Sequence, residues 1–394
     1  MASRCSSLSP PPLKRRRVTA PILPSTSTTT SNSQQPPTFS RIPPSPSQSD
    51  LIQGNLRIYA WNINGIAPYL DQQPLINNFF PTKSSTRSST PPSSQPSLRA
   101  CLQRWSFPHI VCLQEVKIAP SDTSSQASIR RAVNSTIPGP DPLPEPSRLY
   151  ETHFDLPRDK YNATGFGGRV YGVCTLVRQD LAASSTTKSV DWDLEGRVLI
   201  TELHHHGIVI FNIYAVNGTT NPYRDPNSGK TIGDRHMRKR IFHTELRNEC
   251  SHYENQGWHV VIAGDMNVSQ TTLDSYPHLR IGKEHVTNRR HFADTFIKGK
   301  REGGLGMRDS FREVQGEERK YSYRPPGKAW GEGMDRVDLI LVSEGTRIKR
   351  ANILDSELER GRSDHVPLWI EVELKSAGDE VEDDQKKRTK SQAA

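Results

Sequence analysis

Along most of the chain, apolar residues come in short runs separated by polar turns. LRIYAW at 56–61 alternates apolar and polar positions and predicts a strand. HIVCLQ at 109–114 is almost continuously apolar, the pattern of a strand buried on both faces. RVYGVCTLV at 169–177, RVLITEL at 197–203, IVIFNIYAV at 208–216 and WHVVIAG at 258–264 predict four more strands. The spacer HHHG at 204–207 makes the middle pair a hairpin. Helical spacing takes over at 234–254, where Met237, Ile241, Phe242, Leu246, Cys250 and Tyr253 fall on one face and Asp234 is a fitting N-cap. RVDLILV at 336–342 and VPLWIEVEL at 366–374 close the series. Many strands with few long helices predict an α/β fold of two stacked sheets with helices outside.

Composition limits how much of the 394 residues can fold this way. Ser, Thr and Pro make up 28 of residues 1–50, too little apolar surface to offset the entropy of ordering. Residues 1–53 therefore read as a disordered arm, and the charged residues 375–394 as a disordered tail. Two Ser/Pro-rich insertions, at about 83–97 and 119–147, interrupt a single catalytic-size domain at 54–374. The net charge of +9 places +5 in the first fifty residues and none in the tail, leaving +4 for the domain. That balance admits a polyanionic partner without demanding one. In the arm, PPLKRRRV at 11–18, with Lys14, Arg15, Arg16 and Arg17, reads as a nuclear import signal, the alternative being a cytoplasmic protein with a solvated charge run. No apolar stretch reaches the length of a membrane span. The five cysteines form no CxxC pair, which points to neither a zinc site nor a disulfide scaffold.

Polar residues recur where the apolar runs end. LRIYAW runs into Asn62 and Asn64, IVCLQ into Glu115, and WHVVIAG into Asp265 and Asn267; Asp338 lies inside RVDLILV, and Asp364 and His365 precede the last strand. Strand ends of a sandwich converge on one rim, so these groups can share a site. Oxygen donors without thiols suit Mg²⁺ or Mn²⁺. A carboxylate off the metal can take a proton from water, and a histidine held by an acid can polarise a phosphoryl oxygen. Singly, each element has a plainer reading: a turn for Asp-x-Asn, a solvated cap for Glu115, and a solvated hairpin turn for His204, His205 and His206. Taken in order, the set suits metal-assisted phosphoester hydrolysis.

The ordered runs WNINGI, CLQEVK, YGVCTL, EGRV, NIYAVNG, GDMNV, DSFR, RVD and SDHVPL resemble the endonuclease/exonuclease/phosphatase superfamily. Within it the chain is most similar to the exonuclease III branch of abasic-site endonucleases. The resemblance implies a four-layered α/β sandwich of the DNase I type. It also implies roles: Glu115, Asn62 and Asp364 around the metal; Asp265 on the attacking water with Asn267 beside it; His365 on the scissile phosphate, held by Asp338. Tyr214 and Asn217 would face the phosphate. In that branch an aromatic pocket receives the extruded sugar. Tyr323 and Val337 fit it, but Asp335 stands where a tryptophan is expected, with Trp330 as a candidate substitute from the preceding loop.

The leading expectation is a monomeric Mg²⁺-dependent phosphodiesterase that cuts double-stranded DNA 5′ to an abasic site. Lys117, Arg197 and Arg224 are expected to contact backbone phosphates. Asp335 favours a second reading, a less specific nuclease or a 3′-end-processing phosphodiesterase. The intact acids and His365 argue against a third, a catalytically silent binding protein.

Overall fold

LRIYAW and WHVVIAG become the central strands of two sheets. In this computed structural model, residues 54–70, 97–135, 145–163, 171–327 and 333–374 are described. The import cluster Lys14 to Arg17, most of the 83–97 stretch, the tail and Trp330 lie outside the described residues. In chain order the strands are β1 (Asn55–Asn62), β2 (Ile110–Gln114), β3 (Tyr150–Asp155), β4 (Val173–Arg178), β5 (Ser185–Ser189), β6 (Val198–Leu203), β7 (Ile208–Tyr214), β8 (Pro222–Arg224), β9 (Thr231–Asp234), β10 (His259–Asp265), β11 (Ser275–Tyr276), β12 (Arg308–Asp309), β13 (Met334–Asp335), β14 (Asp338–Val342), β15 (Ile348–Ile353) and β16 (Leu368–Glu373). The helices are α1 (Leu98–Arg104), α2 (Thr123–Asn134), α3 (Gln179–Ala182), α4 (Arg235–Asn255), α5 (Lys283–Phe292), α6 (Ser310–Gln315) and α7 (Glu357–Arg360).

One sheet runs β15-β16-β1-β2-β4-β3 and the other β12-β14-β10-β7-β6-β5. The pairs β1–β2 and β7–β10 are parallel. The predicted hairpin is the antiparallel pair β6–β7, closed by a 3₁₀ turn with Gly207 in the left-handed region.

Alternation along each strand sets the layers. From β7, Ile208 and Ile210 join Ile58, Ile110, Val261 and Ile340 in the core between the sheets. Val209, Phe211 and Ile213 of the same strand cluster with Phe242, Leu246 and Cys250 of α4 on the opposite face. Trp61, Val111 and Leu113 likewise cluster with Leu98, Leu102 and Ile129 of α1 and α2. Both faces of both sheets are therefore covered, and the expected four-layered sandwich is the fold. No helix of the described residues is long and apolar enough to cross a membrane.

Two readings of the pattern need correcting. The 119–147 stretch contains α2, which starts where the Asp122 side chain accepts the Ser125 N–H at 3.0 Å and buries Ile129, Ala132 and Val133. Its Ser-rich exposed face masks the three apolar positions that anchor it. Helix α4 does start at Asp234, whose carboxylate accepts the Met237 N–H at 2.8 Å. Its buried face, however, is rotated from the apolar stripe. Ile241 is 40% exposed, while Arg235, Arg238 and Lys239 are buried.

Candidate active site

The strand ends meet as expected. In the second sheet, register places Asp265, the last residue of β10, opposite both Tyr214 at the end of β7 and Asp338 at the start of β14. In the first sheet, parallel pairing brings Asn62 beside Gln114, so Glu115 follows directly at the same rim. Asn62 spans the two sheets: its Nδ2 donates to Glu115 Oε1 and to Asp265 Oδ2, each at 3.0 Å. Gly264 is required here, because a Cβ would lie 2.1 Å from the Ile213 carbonyl oxygen.

His365 Nδ1 bonds Asp338 Oδ2 at 2.7 Å, and its Nε2 lies 3.9 Å from Asp265 Oδ2. The segment is pinned to β1: Ser363 Oγ donates to the Asn62 carbonyl at 2.6 Å and accepts the His365 N–H at 3.0 Å. Burial works against the imidazolium, but the charge and hydrogen bond of Asp338, with Asp265 and Asp364, outweigh it and raise His365 to about 10. Burial and the Asp338 charge push Asp265 up to about 7, against the opposing pull of His365, the Asn267 N–H and Asn62. The site thus holds an imidazolium beside a carboxylate poised near neutrality. Asn267 steadies that carboxylate through its N–H on Oδ1 at 2.8 Å, and its own amide is fixed on the Ala215 carbonyl at 2.9 Å.

Glu115 is the fitting place for a hard cation. Burial raises its pKa, but Lys117, with hydrogen bonds from Asn62, Tyr214 and Lys117, brings the carboxyl below its usual range. It is therefore an ionised oxygen donor; the Asp364 side chain lines the same cleft, with no cysteine among the described lining residues. Asn62, the other expected ligand, has two lone pairs on its amide oxygen. Its Oδ1 accepts the Asn64 N–H at 3.1 Å, and its amide nitrogen spaces the two carboxylates. Asp265, Asp338 and His365 also lie within ligating distance of one another. With Nδ1 committed to Asp338, that trio is arranged to hold protons.

Tyr214 is buried, and the Arg197 guanidinium lies against both its ring and that of Tyr171, 4.8 and 3.8 Å from the ring centres. This overturns the expectation that Arg197 contacts DNA. It is 1% exposed and bonds Glu195 at 2.9 Å and the Tyr214 carbonyl at 3.1 Å. Glu195 also takes Arg235, and Asp193 takes Arg238, so EGRV encodes an ion network that anchors α4 behind Tyr214. DSFR and RVD share a second network, in which buried Arg336 bonds Asp274 at 2.7 Å and Asp309 at 2.8 Å. Lys117 Nζ is 3.0 Å from Glu115 and also bonds Asn64. Arg224 is exposed on β8 and does not line the cleft.

The cleft, about 210 Å³, is lined by Glu115, Tyr214, Asp265, Asn267 and His365 and by the expected Asn217, Tyr323, Val337 and Asp364. The Tyr323 ring lies 4.8 Å from that of His365. Sequence reasoning missed Lys239, Arg280 and Arg289, which line the same cleft. It also missed the backbone: Asn64, Glu115, Lys117 and Asn267 all have φ between 50° and 55°. Non-glycine residues seldom adopt that region, and strain of this kind gathers at functional sites.

Known proteins are similar to this chain in sequence and fold. Exodeoxyribonuclease III of Haemophilus influenzae is 25% identical over 218 residues, covering 51% of this chain and 76% of that protein. The catalytic domain of Xenopus laevis APE2 has the same fold, with a TM-score of 0.52 at 18% identity over 82% of this chain and 94% of that one. An AP endonuclease from Archaeoglobus fulgidus aligns with a TM-score of 0.49 at 18% identity, over 80% of this chain and 98% of that one. The sequence pattern of the Endonuclease/Exonuclease/phosphatase family matches residues 59–365, well over half the length, and the chain belongs to that family.

Proposed function

We propose that the chain is a divalent-metal-dependent DNA phosphodiesterase, and that it cuts 5′ to abasic sites. The supporting observation is Asp265, near neutrality, 3.9 Å from an imidazolium that Asp338 holds by its far nitrogen. Mg²⁺ or Mn²⁺ held by Glu115, with Asp364, would supply charge neutralisation at a phosphate oxygen. Asp265 takes a proton from water as the water oxygen bonds to phosphorus. The bond from phosphorus to the 3′ oxygen breaks and that oxygen takes a proton from solvent, leaving a 3′-hydroxyl and a 5′-sugar phosphate. His365 presents its Nε2–H to a non-bridging oxygen, where negative charge builds. Tyr214 and Asn217 stand at the phosphate beside it. An abasic nucleotide leaves the stack at small cost, which itself favours that substrate.

A second reading has its own observation. Asp335 carries no aromatic surface for a bare sugar and instead bonds Arg280 at 3.2 Å. That polar wall favours end processing at 3′ blocks. One experiment separates the readings: a duplex with a single abasic analogue, an undamaged duplex and a 3′-phosphate duplex, each with Mg²⁺ and with EDTA. The expected result is cleavage of the abasic duplex that EDTA abolishes and Mg²⁺ restores. Release of phosphate from the third duplex alone would favour the second reading, and full activity in EDTA would remove the metal. For Lys14, Arg15, Arg16 and Arg17 we propose nuclear import, which fails if a truncation lacking them still accumulates in nuclei.

A further inference from the structure

Besides its acids, the cleft carries a group of bases. Lys239, Arg280, His285 and Arg289 all line it, as Glu115 and His365 do. Among the described residues only Arg280 of these four has a salt bridge to a carboxylate. That carboxylate, Asp335, is held by three donors. Arg280 sits on its Oδ2 at 3.2 Å, and the hydroxyls of Ser275 and Ser269 sit on its Oδ1 at 2.5 and 3.3 Å. Asp335 therefore fixes a guanidinium on the cleft wall, and the two charges largely offset each other there.

Lys239 makes this a built site rather than a surface patch. It is 2% exposed, and its Nζ donates to the carbonyls of Asn267 at 2.8 Å and Met266 at 3.4 Å. An ammonium has three donors, so one is left for the cleft. A buried cation without a carboxylate is costly. Burial, with Arg197 and Arg280, draws Lys239 down to about 7 against the opposing charge of Asp265, and burial with Arg280, His236, Lys239 and Arg289 lowers His285. Arg289 donates to the Arg280 carbonyl at 3.1 Å, which ties α5 to the loop before it.

We propose that Lys239, Arg280, His285 and Arg289 form a second anion subsite, which holds a second phosphate of the substrate while the scissile phosphate faces His365. This deepens the phosphodiesterase reading and rests on it. The second phosphate is either a neighbouring backbone phosphodiester or a terminal phosphomonoester, and the chemistry of recognition is the same for both.

The test uses the full chain and binding in EDTA, so that no cleavage is needed. Four short duplexes share one abasic analogue: unmodified, with a neutral methylphosphonate on the 5′ side of the scissile linkage, with one on its 3′ side, and nicked with a 3′-phosphate. A nicked duplex with a 3′-hydroxyl is the reference for the last. Removing the recognised charge should weaken wild-type binding about tenfold, the scale of a charge-assisted contact. Arg280→Gln and Arg289→Gln, at solvent-reachable positions, should erase that discrimination. Sensitivity to a methylphosphonate identifies the phosphodiester, and sensitivity to the terminal phosphate identifies the phosphomonoester. The proposal is overturned if no charge removal affects the wild type, or if both variants weaken every duplex equally. Discrimination without cleavage in Mg²⁺ would instead sink the phosphodiesterase reading and leave the subsite standing.

Discussion

At Asp265, burial and the neighbouring Asp338 both oppose ionisation, while His365, Asn62 and Asn267 favour it. The outcome near 7 sets a direction for catalysis. Asp265 works without its proton, so the single-turnover rate should rise as pH passes upward through about 7. His365 works with its proton, so the rate should fall again as pH approaches about 10. A rate flat from pH 6 to 8 at saturating metal would remove Asp265 as the base. Substitution tests the same assignment: Asp265→Asn and His365→Ala should cost on the order of 10²–10⁴ in rate with little change in duplex binding. Asp338→Asn should match His365→Ala, and the pair should cost little more than either alone, because the two act as a unit. Each of these residues was legible as an acid or histidine at the end of an apolar run. The left-handed backbone of Glu115 was not, because a glutamate gives no sign of it, whereas an asparagine such as Asn267 enters that region more readily. Lys239 was hidden for a related reason: a lysine inside a helix pattern reads as solvated until its neighbours are known.

Elements follow the same division. Central strands were readable because both their faces are buried, and β2, β7, β10 and β14 are continuous apolar runs. In the two six-stranded sheets the strands that went unread are β3, β5, β12 and β15, all four at sheet edges, and the short two-stranded pairs β8–β9 and β11–β13 went unread as well. An edge strand keeps one side in water, so STTKS or IKRANI satisfies it without an apolar signature. Helix α4 was placed correctly but turned wrongly, because its first two turns pack on ions. Arg235 and Arg238 meet Glu195 and Asp193 where an apolar stripe would be sought. That network makes a prediction at this scale. Glu195 is 1% exposed and answers Arg197, Arg235 and Arg238 together. Burial raises its pKa, but these three arginines bring the carboxyl down to about 2. Glu195→Gln removes that charge and strands buried guanidinium groups, which typically costs about 3–5 kcal/mol. Urea unfolding should show a loss of that size, and a change under about 1 kcal/mol would mean that the arginines find other partners. Activity should fall as well, since Arg197 also holds the Tyr214 carbonyl behind the cleft.

For the whole molecule, the question is where its charge acts. The +9 is divided between +5 in residues 1–50 and +4 in the domain, and every proposed site residue lies beyond residue 60. Chemistry and long-range attraction to a polyanion are therefore separable along the chain. A chain starting at Ser49 keeps Glu115, Asp265, Asp338 and His365, so its turnover at saturating DNA should equal that of the full chain. Affinity should behave differently. Each phosphate neutralised adds about 0.9 to the slope of log K against log salt. Six basic residues precede Ser49, so removing them can lower that slope by at most about 5. Affinities of the two chains should thus diverge at low salt and converge at high salt, where counterions release little free energy. Equal slopes would show that residues 1–48 make no phosphate contacts and that the domain's own bases supply all the attraction. A fall in turnover at saturation would be the more damaging result, because it would put part of the catalytic machinery in a segment that contains none of the proposed site residues.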